Sequence, residues 1–479
     1  MLLLFLSCAQ LLLHWVGAAN ADGNVEPPLR RKEFVTLHKW TELKLTLPDG
    51  YQQPAPLDAL RYAQDKLLPV DVDVEYGDDG YHRTFLTIPR LSHGVPYSLA
   101  VVADSDNSTI LNPNLVPYPS YDWHSSFGQN CSSLTSAIRT FIDDCWRLWV
   151  VDLGQINAIQ YCAPQILAFD LVTDQLIHRY IIPASQYTPG VSIFTALAVD
   201  VDPSVPGAEC SNAMIYIADP WGYGLIVYNM QQGQSWRIQN AHMQPDELLT
   251  PEKTGNSGIF TVSISPRRHD AEAANRRLYF HALNSFLEVS VPLFLVNNAT
   301  LWTLPKDVET QKELLNEFRV VGSRGIQCES EAMDSDGNLY CSLISSSALI
   351  AWREDSEYDS DHLKVVAYNP DKLRFVTGLK VNRNNLDEDE LWALSSNPEV
   401  SNIWKYFCSK KKKYIYIYIF HLILSNVLAI CWWKCAFGRY KVPNHWLWSQ
   451  KFAGKRALCG SNKSFAESVR RKKIFSTIF

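Results

Sequence analysis

Positive charge is scarce over most of this sequence. Residues 1–404 hold 28 Lys and Arg against 49 Asp and Glu, a net charge of −21. Such an acidic stretch argues against nucleic acid or an anionic membrane as a partner, because both are themselves negatively charged. The whole-chain net charge of −6 hides this, because residues 405–479 hold 16 Lys and Arg and a single Glu, a net of +15. We therefore read the two stretches separately.

The short motifs of several enzyme classes are also absent. The sequence has no G-x-S-x-G elbow, no P-loop and no H-E-x-x-H helix motif, which excludes the best-marked hydrolases, nucleotide-binding enzymes and zinc proteases. No paired C-x-x-C motifs stand at zinc spacing in residues 22–404. The acidic stretch at 334–338 has the wrong spacing for an EF-hand and predicts a hairpin turn. The sequence thus predicts neither a metal nor a cofactor.

The first 21 residues predict a secretory signal peptide. An apolar run from Leu2 to Val16 is followed by small residues and an A-x-A cleavage candidate at 19–21, although no Lys or Arg precedes the run. The alternative is a short buried helix. Three glycosylation sequons, at Asn107, Asn130 and Asn298, fit the same secretory route. The expected location is therefore extracellular.

Six cysteines lie in the body of the chain and favour disulfides in a secreted protein. Several pairings are open from spacing alone. Cys145 with Cys162 and Cys328 with Cys341 are the preferred pairs, because each brackets two predicted neighbouring strands. Cys131 is then left to pair with Cys210.

Aromatic residues and turn formers are abundant, with 20 Phe, 22 Tyr, 15 Trp, 25 Pro and 22 Gly. This composition favours a turn-rich β protein. A strand motif with a central aromatic residue recurs six times at intervals of 52 to 67 residues, at 83–89, 147–154, 214–220, 277–283, 338–344 and 390–396. In most units a turn and a second strand follow, at 166–171, 224–229, 286–291 and 348–352.

Six such repeats predict an all-β fold, a six-bladed β-propeller, because a lone four-stranded sheet cannot bury both faces and radial stacking can. The alternative, a pair of β-sandwiches, explains the strands but not their even spacing. The domain is expected over residues 22–404, with a complete or an incomplete last blade as the two alternatives. A helix is expected near 305–318, on an insertion between blades.

Several segments in order along the body carry a family resemblance. HRTFLTIPRLSHGVPYSLAVV, PNLVPYPSYDW, CWRLWVVDLG, CAPQILAFDL, MIYIADPWGYGLIVYN, RRLYFHALNSFLEVSV and RGIQCESEAMDSDGNLYCSLI resemble the insect Yellow and major royal jelly protein family. One departure is Ala351 before Trp352, where many members have Cys. The disulfide set implied by the resemblance therefore differs from the usual one.

The resemblance implies a secreted six-bladed propeller. Roles known in the family include melanin and cuticle pigmentation, conversion of dopachrome-type substrates, channel binding of biogenic amines, and nutrition. The resemblance implies no catalytic residues that could be assigned to positions of this chain. The expected partner is a small aromatic amine or a catechol-derived ligand. The protein is expected either to isomerise or decarboxylate such a ligand, or to have no enzymatic activity.

Three residues are candidates for the site. His281 is expected on an innermost strand, where it would face the channel as a proton carrier. Glu329 and Glu331 stand two apart and should share a face if the segment is extended, so that they could bind a protonated amine at the channel mouth. The alternatives are a structural histidine and a solvated acidic turn. Asp152 and Asp219 are expected to cap turns.

The basic stretch at 405–479 is expected to lie outside the fold. A run of lysines followed by Tyr-Ile repeats is what an A-run and a (TA)n tract would encode, so read-through sequence is the simplest account. The alternative is a membrane anchor at residues 414–433, which are mostly apolar between basic flanks. Only in that case would a membrane be a partner.

Overall fold

The computed structural model describes residues 35–48, 62–77, 82–103, 110–202, 210–246, 249, 257–267, 275–344, 346–396 and 415–421. All of them belong to one compact unit, Met1–Ile430. The predicted signal peptide at 1–21, the sequon at Asn107 and most of the basic stretch lie outside the described residues. Predictions that concern those segments remain predictions.

The first half of the chain forms short strands. They are β1 Val35–Trp40, β2 Lys44–Leu45, β3 Asp71–Tyr76, β4 His82–Thr87, β5 Leu99–Val102, β6 Ile110–Leu111, β7 Asn114–Pro117, β8 Ala137–Ile142, β9 Arg147–Asp152, β10 Gln155–Ile156, β11 Ile159–Gln160, β12 Gln165–Asp170, β13 Leu176–Ile181, β14 Ala196–Asp200, β15 Met214–Asp219, β16 Gly224–Asn229 and β17 Gln234–Ile238. Single 3₁₀ turns lie at Gln64–Lys66, Tyr121–Trp123, Ala184–Gln186 and Ala241–Met243.

The second half continues in the same way. Its strands are β18 Ile259–Ile264, β19 Arg277–Ala282, β20 Leu287–Pro292, β21 Arg319–Ser323, β22 Cys328–Met333, β23 Asn338–Leu343, β24 Ala348–Arg353, β25 Lys364–Tyr368, β26 Phe375–Arg383, β27 Asp389–Ser396 and β28 Ile415–His421. Three helices, α1 Leu293–Val296, α2 Thr300–Thr303 and α3 Val308–Asn316, lie between β20 and β21.

The strands form six sheets of four or five strands that close into a ring. The sheets are β2-β7-β5-β4-β3, β13-β12-β9-β8, β14 to β17, β18 to β21, β22 to β25, and β26-β27-β28-β1-β6, with β10-β11 as a separate hairpin. The first strands contact one another in order, β3 with β8, then β14, β18, β22 and β26, which returns to β3. The predicted six-bladed propeller is confirmed, and the sandwich alternative is wrong.

Each sheet is buried on both faces because alternate side chains of a strand point to opposite neighbours. In β9, Leu148 and Val150 share a core cluster with Phe85 of the preceding sheet. Trp149 and Val151 on the same strand belong instead to the cluster shared with the third sheet. A strand whose two faces pack against the two neighbouring blades is therefore a continuous apolar run. For this reason the second strand of every blade is the one that stands out in the sequence.

The innermost strands are less apolar and do not stand out in the sequence. DVDVEY in β3 and CESEAM in β22 carry acidic residues at positions that line the channel. The six aromatic marker strands are thus β4, β9, β15, β19, β23 and β27, the second strand of each blade. His281, on β19, is for this reason not on an innermost strand.

The predicted helix is present but lies within a blade. Helix α3 begins after Asp307, whose carboxylate accepts the Thr310 amide at 2.9 Å and the Thr310 hydroxyl at 2.8 Å. This is ordinary N-capping by Asp. The helices connect the third and fourth strands of the fourth blade, so the expected position between blades is wrong.

The last blade is completed by a strand from the basic stretch. Strand β28 pairs antiparallel with β27 on one side and with β1 on the other. Ile415 and Ile417 are buried in a core cluster with Trp40 and Trp392. The fold therefore extends past the expected end at residue 404. Among the described residues no helix has the length and apolarity needed to cross a membrane.

All six body cysteines are in disulfides, but one of the two preferred pairs, Cys145 with Cys162, is wrong, and so is the remaining pair, Cys131 with Cys210. The bonds are Cys131–Cys162, Cys145–Cys210 and Cys328–Cys341, so only the last preferred pair is confirmed. Cys145 precedes β9 and Cys162 lies beyond its far end, so about six residues of extended strand, roughly 20 Å, separate them. Cys145 and Cys162 are close in sequence, but they lie at opposite ends of β9 and are therefore not neighbours in space.

Two sequons and two turn aspartates can be placed. The sequon residues Asn130 and Asn298 are both exposed, as glycosylation requires. Asp152 accepts the backbone amides of Thr135 and Ser136 at 2.8 and 2.6 Å, and Asp219 accepts the Gly222 amide at 3.0 Å. The expected turn-capping role of both aspartates is confirmed.

The acidic stretch at 334–338 is the expected hairpin turn. It connects β22 to β23. Asp334 accepts the amides of Asp336 and Asn338 at 3.0 and 2.7 Å, and Gly337 has a φ of 80°, a conformation that glycine adopts easily.

His38 on β1 makes the last blade sensitive to acid. Its imidazole is buried, and neither ring nitrogen has a hydrogen-bond partner among the described residues. Burial, with His82 nearby, lowers the pKa of His38 to about 4. As the pH falls, His38 is therefore protonated in the unfolded chain before it is protonated in the folded one. The free energy of unfolding decreases for this reason as the pH falls from about 6.5 to 4.

We expect His38→Leu to melt with a weaker pH dependence than the wild type. At pH 4.5 the wild type should lose about 2–3 kcal/mol at this residue, at about 1.4 kcal/mol per unit of pKa difference. Thermal melts at pH 7.0 and 4.5 measure this. His93→Leu, at a partly exposed histidine, is the control and should keep the wild-type dependence. Equal dependence in all three proteins would rule out His38 as the cause.

Candidate functional site

A channel runs through the centre of the propeller and is lined by the six innermost strands. Its cavity has a volume of about 780 Å³, which is in the range of small-molecule sites. Part of its lining is buried, including Asp71, Asp73 and Arg139, whereas Trp146 is 45% exposed. We call the buried part of the lining the floor and the exposed part the mouth.

Asp71 organises the floor. Its carboxylate lies 3.2 Å from Lys380 Nζ and 3.3 Å from Arg139 Nη1, and it accepts the Thr140 amide at 3.0 Å. Arg139 also donates to the backbone carbonyl of Thr377, at 2.8 Å. These contacts join three blades and hold two cationic groups at the bottom of the channel.

Asp73, two residues further along the same strand, has an unusual carboxylate. It is buried and lines the channel. Its Oδ1 accepts the Val74 amide at 3.1 Å, whereas Oδ2 has no hydrogen bond of normal geometry. Burial raises the pKa of Asp73 to about 6; Lys380 opposes this shift and Asp71 adds to it. A carboxylate of this pKa is suited to accept a proton near neutral pH.

The channel as a whole is acidic and partly aromatic. Its lining includes ten carboxylate side chains and five from Lys and Arg. Four aromatic side chains, Tyr76, Phe141, Trp146 and Phe260, also line it. A site with excess carboxylates and aromatic faces favours a cationic or neutral aromatic ligand over an anionic one.

His281 lies behind the channel wall and does not line the cavity. Its side chain is fully buried, with Nδ1 3.1 Å from Glu288 Oε2 and 3.0 Å from Glu331 Oε2. Nε2 lies 3.2 Å from the carbonyl oxygen of Cys328. The expected channel-facing proton carrier at His281 is therefore wrong, because the aromatic marker strands are the second strands of their blades.

The His281 imidazole belongs to a buried charge cluster. Arg324 Nη1 donates to Glu288 Oε2 at 2.8 Å, and both side chains are fully buried. Burial and Arg324 lower the pKa of His281, but Glu288 and Glu331 together outweigh them and the net shift is upward. Burial and the neighbouring Glu331 raise the pKa of Glu288.

Glu329 and Glu331 both line the channel but have different neighbours. A β-bulge between Cys328 and Glu331 in the pairing of β22 with β23 breaks the two-residue alternation. Glu331 reaches His281 in the fourth blade, and Glu329 lies close enough to Arg139 to be affected by its charge. Both glutamates are buried, so the predicted position at the mouth is wrong, and so is the solvated acidic turn.

Burial raises the pKa of Glu329 well above its ordinary value, although Arg139 and the Val376 amide oppose this. Asp71, Asp73, Arg139 and Lys380 are site residues that were not predicted from the sequence. One signal was available, because the alternating Asp and Val of DVDVEY is the pattern of a strand with one polar face. Lys380 and Arg139 carried no comparable signal.

Comparison with known proteins gives a consistent set of relatives. A sequence profile of the family described as Major royal jelly protein matches residues 135–416. Protein yellow of Drosophila erecta is 30% identical over 378 residues, which cover 76% of this chain and 64% of that protein. Protein yellow of Drosophila yakuba is 30% identical over 391 residues, 78% of this chain and 67% of that protein.

A third relative carries the name of an enzyme. Dopaminechrome tautomerase of Drosophila melanogaster is 29% identical over 344 residues, which cover 69% of this chain and 69% of that protein. The matched stretch thus spans roughly two thirds of the length of each of these three relatives.

Proposed function

Because the chain belongs to the major royal jelly protein family, we propose that it is a secreted, Yellow-like protein of pigmentation that tautomerises aminochromes in its central channel. The relatives named Protein yellow and dopaminechrome tautomerase support the reaction class. Three disulfides support an oxidising, extracellular location. The exposed sequons at Asn130 and Asn298 agree with that location.

The observation that carries this proposal is the Asp73 carboxylate on the channel floor. Tautomerisation of an aminochrome removes a proton from a ring carbon and adds one to a quinone oxygen, so no oxidant or reductant is needed. The reaction requires a base that is ionised near neutral pH and a nearby hydrogen-bond donor. Asp73 provides the base, with a pKa of about 6 and an Oδ2 atom that lacks a hydrogen bond of normal geometry.

Lys380 provides the donor. Its ammonium is held by Asp71 and by the carbonyl oxygen of Thr140, and an ammonium has three N–H groups to donate. We propose that the third bonds the quinone oxygen and stabilises the negative charge that develops there when Asp73 takes the carbon-bound proton. The balance closes when Asp73 releases the proton it took from carbon and that oxygen gains one from solvent, which restores the carboxylate for the next turnover.

The charge of the channel favours one kind of substrate. Dopachrome carries a carboxylate and dopaminechrome does not. Because the channel lining holds twice as many acidic as basic side chains, we expect the neutral dopaminechrome to be converted with the higher kcat/KM. This makes isomerisation a better fit than decarboxylation.

We expect Asp73→Asn to lower kcat for dopaminechrome by about 100-fold or more, the usual effect of removing a general base. The wild-type rate should fall below pH 6, because Asp73 is then protonated and can no longer accept a proton. Loss of aminochrome absorbance in a stopped-flow mixer measures both. Asp361→Asn, at an exposed residue, is the control, and a full rate in Asp73→Asn would exclude Asp73 as the base.

A second candidate function is the binding of biogenic amines without turnover. The excess of acidic over basic side chains in the lining favours it, because a protonated amine is attracted to an acidic site. Titration of dopamine and serotonin by calorimetry separates the two functions. Heat of binding without loss of aminochrome supports the binder, and neither signal supports a structural or nutritive role.

A further inference from the structure

Three ligand-type side chains from two blades meet beside the channel. His281 lies on β19, Glu288 on β20 and Glu331 on β22. One nitrogen or oxygen atom from each lies within 4.8 Å of the others. The side chains are fully buried. Among the described residues this is the cluster of three whose donor atoms are close enough to share one cation.

The orientation of the imidazole is that of a metal-binding histidine. Nε2 faces the carbonyl oxygen of Cys328 at 3.2 Å, and a carbonyl can only accept, so Nε2 carries the hydrogen. Nδ1 then faces the two glutamates and the hydroxyl of Thr261, whose Oγ1 lies 3.1 Å away and would have to turn aside for an ion to bind. Histidines that bind metals usually donate the other ring N–H to a carbonyl or carboxylate in this way.

The spacing of the donor atoms also suits a small divalent cation. A tetrahedral zinc ion with bonds of about 2.0–2.1 Å holds its ligand atoms about 3.3 Å apart. Nδ1 lies 3.1 Å from Glu288 Oε2 and 3.0 Å from Glu331 Oε2. Shifts of a few tenths of an ångström would admit the ion.

The carboxylate oxygens provide an independent observation. Both oxygens of Glu331 and Oε1 of Glu288 are buried without a hydrogen bond of good geometry from any described residue, although Glu331 Oε2 lies 3.0 Å from Nδ1. Such atoms are costly to bury. A proton on Nδ1 could serve one acceptor well and would leave the others without a partner. A cation bound by both carboxylates would satisfy more of them.

The position of Arg324 and the net charge of the buried cluster also favour a bound cation. The guanidinium holds Glu288 Oε2 at 2.8 Å, as outer partners hold carboxylate ligands at metal sites. With a neutral imidazole, two carboxylates and one guanidinium leave one buried negative charge. A bound cation would offset that charge, and so would a proton within the cluster.

We propose that His281, Glu288 and Glu331 form a buried binding site for a divalent cation of the zinc or manganese class. One imidazole nitrogen with carboxylate oxygens suits these ions, whereas calcium takes six to eight oxygen ligands. Glu331 also lines the channel, which is the route by which an ion would enter. The site is separate from Asp73 and Lys380, so it stands or falls independently of the proposed tautomerase.

Zinc binding to the full secreted chain tests the site. The protein is treated with a chelator, dialysed, and titrated with zinc chloride and, in parallel, manganese chloride. Bound metal is measured by mass spectrometry and stability by thermal melting. We expect one equivalent of metal per chain and a rise in Tm. Glu331→Gln should bind at least 10-fold more weakly, and Glu313→Gln, at an exposed residue, should bind like the wild type.

A cobalt titration of the unmutated protein covers the case in which Glu331→Gln fails to fold. Bound cobalt with one nitrogen and several oxygen ligands should give a visible d–d absorption band that zinc abolishes. The proposal is overturned if the folded wild type binds neither zinc nor manganese at one equivalent, or if Glu331→Gln binds as the wild type does. In either event a proton on His281 balances the buried charge.

Discussion

A chain that ends at residue 404 should melt at a much lower temperature than one that ends at residue 421. Strand β28 lies between β27 and β1, so its removal leaves the sixth sheet in two parts. Burial of Ile415 and Ile417 contributes about 2–3 kcal/mol each, and two strand edges become exposed. We expect a loss of at least about 5 kcal/mol and a Tm lower by about 6 °C or more.

The matched comparison is between chains ending at residues 404, 421 and 479. All three are expressed with the same leader, and their melts are followed by circular dichroism and calorimetry. The chain ending at 421 should melt close to the full chain, because it keeps every described strand. If the chains ending at 404 and 421 melt together, β28 contributes nothing to the closure of the ring.

Replacing Arg90 with Met should destabilise the protein by about 4 kcal/mol or more. The Arg90 side chain is 1% exposed and donates to four backbone carbonyls, those of Val95, Pro96, His124 and Thr135. Its guanidinium also lies 4.2 Å from the centre of the Phe127 ring. Met fills similar space but leaves the four buried acceptors without this donor, at about 1 kcal/mol or more each.

Thermal melting of Arg90→Met measures the effect, and we expect a decrease in Tm of about 5 °C or more. Arg90→Lys separates charge from geometry, since an ammonium cannot serve four dispersed carbonyls and should recover little. Arg353→Met is the control, because Arg353 forms an exposed ion pair with Asp355 at 2.9 Å and such pairs contribute little. A melt of Arg90→Met within 2 °C of the wild type would contradict the role given to this arginine.

The strand pattern of the tail shows how one sequence feature supports two interpretations. Alternating Tyr and Ile is what a TA repeat encodes, and it is also the period-two pattern of a β-strand. Pattern alone cannot tell whether an open sheet edge is available to pair with it. The structure shows that β27 and β1 provide two such edges, and the strand is used in the fold.

The candidate site could be predicted only in part. His281, Glu329 and Glu331 are polar residues in or beside apolar strands, and all three lie at or next to the channel wall. Their roles could not be predicted, because a single bulge in β22 decides which neighbour each glutamate meets. Asp73 and Lys380 are 307 residues apart in sequence and influence one another only because the sixth blade closes against the first.

The sequence by itself determined the fold class, the number of blades, the second strand of each blade and the set of bonded cysteines. These features depend on local composition and period, which sequence carries directly. Only the tertiary structure decided the disulfide pairs, the closing strand, the burial of His281 and the charged floor of the channel. Each of these depends on which segments meet around the ring, and that depends on long-range packing that no local pattern specifies.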